Sequence, residues 1–347
     1  MKSTGILGRL TGCQLAKSSE INLIVRIGSA RDVAECYALH ESLQLPYAKN
    51  SCGDIPEIWR ALLSKGAMRL CLVTNRARKI GSQIVSFSAL LFVTDEFCAD
   101  ARSKLFPYIG VELTRRYPSR EWAILNHKQV GEANAGGGLN VIMCFEGGAY
   151  DGLSPKELLA VRDKQSEALH LALRGYHIKE FLANPIGTSA LHWMLQAGAR
   201  LRCDYSSYFR KDRVPKLERS QRPYLIGLTE KEALAHPGSS IGGLFIYTPP
   251  RFGFTRSQQV LLRQALVGET CEQLATSLSV SPWTVKKRWH AIYERVADVD
   301  EELLPPAIAY GARVASRGAE RRRHLLNYLR QHLEELRPYA QQRQQPF

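Results

Sequence analysis

The chain has 347 residues, 45% of them hydrophobic and 23% charged, enough for two domains with a core each. Its 47 Lys and Arg outweigh 33 Asp and Glu, giving a net charge of +14 that favours an anionic partner without choosing among DNA, RNA and an anionic membrane. No apolar run is long enough to span a bilayer, and no uninterrupted apolar segment follows Lys2 and Arg9, so a membrane span and a signal peptide are set aside and a cytoplasmic location is expected.

The eight cysteines are scattered, with no C-x-x-C pair and no Cys/His cluster of zinc-like spacing, and read as free thiols in a reducing compartment. Residues 1–20 are small and polar, a loose leader. Ile21 to Ile27 is a strand candidate. Ser29 caps a helix with Asp32 three places on, and a shorter helix runs near Pro56 to Lys65. Met68 to Asn75 and Ile80 to Val93 form an antiparallel hairpin. Asp95 to Leu105 and Ile109 to Tyr117 are helical, stopped by Pro107 and Pro118. Glu132 to Gly138 reads as a turn, and Leu139 to Phe145 as a buried strand. Ser154-Pro155 opens a long helix that Gly175 ends; His177 to Asn184 is a strand, Thr188 to Ala197 a helix, and Leu201 to Phe209 a strand with three aromatics.

Alternating strands and helices mark residues 21–210 as an α/β or α+β domain. Its later part, Asn184 to Ala190 leading into Trp193-Met194-Leu195-Gln196-Ala197-Gly198 and a Tyr-rich strand, resembles the GNAT superfamily of acetyl-CoA-dependent N-acyltransferases. The resemblance implies a coenzyme diphosphate held at the start of the central helix on a Gln/Arg-x-x-Gly-x-Gly/Ala loop. Arg162 to Glu167 lacks those glycines, and the glycines at Gly147-Gly148 come too early, beside Asp151. The domain is therefore expected to be catalytically degenerate: a sensor or dimerisation domain, with an acyl-CoA-like molecule as a candidate ligand and no cofactor. Glu146, at the end of the apolar strand, could serve as a base through water, or is simply where the strand leaves the core. Tyr205 and Tyr208 fall near where the family places a general acid, but read as packing aromatics. His127 and His177 read as surface or satisfied polar residues.

Residues 211–251 form a basic, polar linker holding two apolar runs, Tyr224 to Leu228 and Gly243 to Tyr247, which suggest docking on the first domain. Residues 252–297 read as three short helices. Thr255 caps the first and Gly268 ends it; Thr270 and Gln273 make a capping box for the second; Ser281-Pro282 starts the third. On the third helix Val285, Trp289, Ile292 and Val296 share one face, while Trp283, Lys286, Lys287 and His290 share the opposite one. Two helices joined by a tight turn, the second with a basic face, have the form of a helix-turn-helix. Phe254-Thr255, Gly268, Gln273-Leu274-Ala275, Ser281, Thr284-Val285-Lys286, Ile292 and Arg295-Val296 together resemble the DNA-binding domain of LuxR-type regulators; Arg288 stands where that family usually has His. The resemblance implies that Trp283, Lys286, Lys287 and His290 face the groove, and that Thr255, Thr284, Arg288 and Arg295 contact the DNA backbone or hold the motif.

Residues 298–347 close the chain. Gly318 to Arg337 reads as one helix with a Leu325, Leu326, Leu329, Leu333, Leu336 stripe, available to the same chain or to a second copy. The expectation is a GNAT-like α/β domain followed by an all-α LuxR-type helix-turn-helix domain and a C-terminal helix. Its partners would be double-stranded DNA, a second copy and a small-molecule effector, with no membrane and no metal. It would act as a transcription regulator rather than an enzyme; an acyl-CoA-dependent N-acyltransferase fused to a DNA-binding domain is the alternative.

Overall fold

The computed structural model describes residues 22–45, 54–79, 81–104, 106–116, 123–205, 217–305 and 314–340. The expected leader, Tyr208 and the last seven residues lie outside them. Seven strands form one mixed sheet in the order β1-β2-β3-β4-β5-β7-β6. These are β1 Leu23–Ile27, β2 Met68–Asn75, β3 Ile84–Val93, β4 Leu139–Gly148, β5 Ile178–Ala183, β6 Arg200–Asp204 and β7 Tyr224–Thr229. All neighbours are antiparallel except β4 and β5, which are parallel.

Both faces of the sheet are covered, which explains why its central strands read as continuous apolar runs. Leu70, Leu72, Phe87, Ala89 and Ile142 enter one core with α1 (Val33–Glu41), α2 (Ile55–Ser64), α3 (Asp95–Ser103) and α4 (Ile109–Arg116). Cys71, Leu90, Phe92, Val141 and Met143 enter the other. It is closed by α5 (His127–Ala135), α6 (Pro155–Leu173), α7 (Thr188–Gln196) and α8 (Glu230–Ala235).

Two segments differ from expectation. The stretch expected as a turn at Glu132 to Gly138 is mostly the end of α5. Asn126 caps that helix from outside, and the helix buries Val130, Gly131 and Asn134. Tyr224 to Leu228, placed in the linker, is β7, inserted between β5 and β6. The α/β unit therefore runs past residue 210.

A third core joins α9 (Arg256–Leu266), α10 (Cys271–Ser277), α11 (Pro282–Val299) and α12 (Val314–Gln331). Each start is capped as its sequence requires: Thr255 with Gln258, Thr270 with Gln273, and Ser281 ahead of Pro282. Leu325 and Leu329 are fully buried in this core, and a 3₁₀ turn at Leu333–Leu336 breaks the expected single helix. The leucine stripe packs into this core within the chain.

Candidate active-site cleft

β4 and β5 pair from Leu139↔Ile178 to Met143↔Ala183; β5 then ends, while β4 runs on to Gly148. The two strands part at Met143. At that point β4 carries a bulge: Leu90 faces Met143 and Ala89 faces Phe145, leaving Cys144 extra. Cys144 and Phe145 both enter the first core, so the alternation is reset and Glu146 emerges toward α6. Gly110 on α4 presses against this bulge; a Cβ there would lie 2.4 Å from the Cys144 carbonyl oxygen. Asn184 fixes the end of β5, accepting from Ile109 N–H at 3.1 Å and donating to the Tyr224 carbonyl at 2.7 Å.

The gap opens into a cavity of about 330 Å³ between β4, α6 and α7. Met143, Leu158, Leu169, Ile186, Trp193 and Met194 make most of its wall apolar. Glu146 lines this cavity and also a smaller one on the far side, beside His40, Tyr108 and Asn184. Its Oε1 accepts the Ile186 N–H at 3.0 Å. Burial pushes its carboxyl up to about 7, against the opposing pull of that N–H and of Arg162. On the α6 wall, Gln165 donates to Tyr150 Oη at 2.9 Å and also to Ser86 Oγ. Arg162 donates to Ser189 Oγ at 2.8 Å.

Residues 162–167, weighed in sequence as a phosphate loop, lie in mid-helix. Arg162 and Gln165 from that segment join Leu158 and Leu169 in one stripe at helical spacing that faces the cleft. The start of α6 is closed on itself: Glu157 accepts from Ser154 N–H at 2.7 Å, and that bond holds its carboxyl below the usual range. This rim carries Asp151 as well, so it does not offer a diphosphate the cradle that the family loop provides. The long apolar cleft does fit the acyl and thioester arm of such a donor.

Of the other sequence candidates, Tyr205 is fully buried in the first core and lines neither cavity. His177 stacks on Tyr247 with ring centroids 4.8 Å apart. Trp283, Lys286, Lys287 and His290 share an exposed face of α11; Lys287 Nζ lies 5.4 Å from the Trp283 ring centroid, and His290 pairs with Glu294 at 3.1 Å. Thr255 and Thr284 are engaged in the caps of α9 and α11. Arg288 is half-buried, and Arg295 turns inward, donating to the Phe252 and Gly253 carbonyls at 3.4 and 3.2 Å. The described residues contain no cluster of metal-ligating side chains and no helix long and apolar enough to cross a membrane.

A scan against protein-family models and a search of curated proteins gave no match. Solved structures similar to the chain include the C-terminal condensation domain of Ebony in complex with beta-alanyl-dopamine. Its TM-score is 0.37, at 14% identity over 60% of this chain and 99% of that one. Arabidopsis thaliana NAA60 in complex with acetyl-CoA has a TM-score of 0.36, at 13% identity over 60% and 98%. FeeM, an N-acyl amino acid synthase from uncultured soil microbes, has a TM-score of 0.33, at 12% identity over 61% and 92%. By description the three are a condensation domain bound to beta-alanyl-dopamine, a protein bound to acetyl-CoA and an N-acyl amino acid synthase. These descriptions run against the expectation of a non-enzyme. None of the three is described as a DNA-binding regulator, against the expectation of transcription regulation through DNA.

Proposed function

We propose that the α/β unit is an N-acyltransferase that moves an acyl group from an acyl-CoA thioester to an amine. The observation that carries this is Glu146: a carboxyl poised near neutrality, at the parting of two parallel strands, bordering a cavity on each side. The apolar cleft takes the acyl-thioester arm. The opening on the His40 side, about 10 Å³, holds a water at most, so the acceptor amine enters by the same 330 Å³ cleft. Glu146, as carboxylate, takes a proton from the amine, directly or through water. The amine nitrogen attacks the thioester carbonyl, the C–S bond breaks, and the CoA sulfur leaves and is protonated. The bulge and Asn184 fix the geometry where the two strands part beside Glu146.

The test is thiol release from acetyl-CoA and longer acyl-CoAs across a panel of amines. Glu146→Gln is expected to lower kcat by about 10²–10⁴-fold, with little change in KM for the donor. Ala190→Trp, filling the cleft, is expected to raise the donor KM instead. Absence of thiol release from wild type with every pairing, or full activity in Glu146→Gln, would reject the reading.

A further inference from the structure

The mostly apolar cleft beside Glu146 holds one cation. Among the described residues that line it, Arg162 alone carries a positive charge and Glu146 alone a carboxyl. Arg162 is half-buried, and its guanidinium lies 6.0 Å from the Trp193 ring centroid. Of its five N–H groups, one donates to Ser189 Oγ at 2.8 Å, a neutral partner. Among the described residues no carboxylate forms an ion pair with it.

One short segment holds both charged groups. The Ile186 N–H donates to Glu146 Oε1 at 3.0 Å, and Ser189, in the first turn of α7, accepts from Arg162. The stretch from Ile186 to Ser189 spans at most about 11 Å of extended chain. The two contact points are therefore close, and both groups face the same cavity of about 330 Å³. A guanidinium in an apolar wall, met by a hydroxyl, is matched best by an oxyanion that takes its planar fork. A singly charged carboxylate neutralises it. A doubly charged phosphate would leave one charge uncompensated beside the Glu146 carboxyl, which is costly away from bulk water. A free amino acid is a zwitterion: its carboxylate can meet Arg162 while its ammonium meets Glu146.

We propose that the acceptor is an amino acid, its carboxylate held by Arg162 and its amine presented to Glu146. This rests on the acyltransferase reading and names its acceptor class. Glu146 takes one ammonium proton and leaves a neutral amine. The nitrogen bonds to the acyl carbon, the C–S bond breaks, and the sulfur leaves with a second proton from the nitrogen. Glu146 then returns its proton to solvent. The carboxylate on Arg162 is unchanged, so the product is an N-acyl amino acid. Arg162 touches the substrate and sets specificity without touching a reacting atom.

The test is thiol release from acetyl-CoA and decanoyl-CoA with matched acceptors: phenylalanine, leucine and glycine, each against its own amide, and phenethylamine. The amide keeps the amine and removes the charge that Arg162 would meet. Wild type is expected to favour its best amino acid over the matching amide by about 10–100-fold in kcat/KM. Arg162→Gln should bring that ratio near one by raising the amino acid KM, while the donor KM and turnover of the amide are kept. Arg162→Lys, which keeps the charge without the fork, should fall between. Wild-type release as fast with amide as with acid, or an acid preference that survives Arg162→Gln, overturns this proposal alone. A higher donor KM in Arg162→Gln with the acid preference intact would put the donor's phosphates on Arg162 and overturn it too. Absence of thiol release with every pairing rejects the acyltransferase reading and this proposal with it.

Discussion

At the scale of single residues, the proposed chemistry rests on Glu146. Its carboxyl is raised to about 7 because burial disfavours its charge more than the Ile186 N–H and Arg162 favour it. Two consequences have opposite signs. Activity that needs the carboxylate rises with pH through about 7. Stability runs the other way: the folded state holds the proton more tightly than the unfolded chain, whose carboxyl titrates near 4.5. The contribution is full below that value and is lost as pH climbs through about 7. Denaturant unfolding of wild type and Glu146→Gln from pH 4 to pH 8 checks this. Wild type is expected to lose stability relative to the variant across that window, and parallel curves would show that the carboxyl is not desolvated. Gly175 shows the same economy at another site. Its φ of +82° and the Glu334 backbone, 2.5 Å from where a Cβ would stand, leave room for glycine alone.

At the scale of elements, what was legible in the sequence followed from local rules. The hairpin strands, the long helix and the three capped helices were readable because both-face burial makes continuous apolar runs and because caps are written in adjacent residues. The rest depends on distant partners. α5 hides behind Ala133-Asn134-Ala135-Gly136 because its buried face is matched to the tail: Asn134 donates to the Pro338 carbonyl at 2.9 Å, and Ala340 N–H reaches the Gly131 carbonyl at 3.0 Å. β7 pairs with β5 at Glu180 to Ala183, about 45 residues upstream, and with β6, and only those distant pairings make it a strand of the sheet. Glu146 was visible as a strand-end carboxyl, but its face was set by a bulge that no residue pattern announces. α12 supplies the sharpest element-level prediction. Leu325 is fully buried against the helical core, so Leu325→Ala is expected to cost about 2–5 kcal/mol of that unit's stability without altering the molecular mass in light scattering. A shift in mass with unchanged stability would mean instead that the stripe joins two copies.

At the scale of the whole molecule, α6 is shared by both units. One stripe of it lines the cleft through Leu158, Arg162, Gln165 and Leu169. Its C-terminal carbonyls, the negative end of the helix dipole, are gripped by the tail: Arg337 takes Leu171 and Arg174, and Arg174 itself donates to the Gln331 carbonyl. A second grip fastens the tail to the helical unit, where the buried carboxylate of Glu335 accepts from Arg251 and Phe252 N–H at 2.8 and 3.0 Å. The tail is therefore a strap with one anchor in each unit, and Arg337 is its anchor on α6. Removing that side chain takes away two charge-assisted hydrogen bonds and a ring contact, a loss of about 2–4 kcal/mol of docking. Each unit keeps its own core, so Arg337→Ala is expected to separate unfolding into two calorimetric transitions. Because the cleft residues stay on a helix still packed against β1 and β2, thiol release should survive below the first transition. A single transition lowered as a whole would show instead that the units unfold only together.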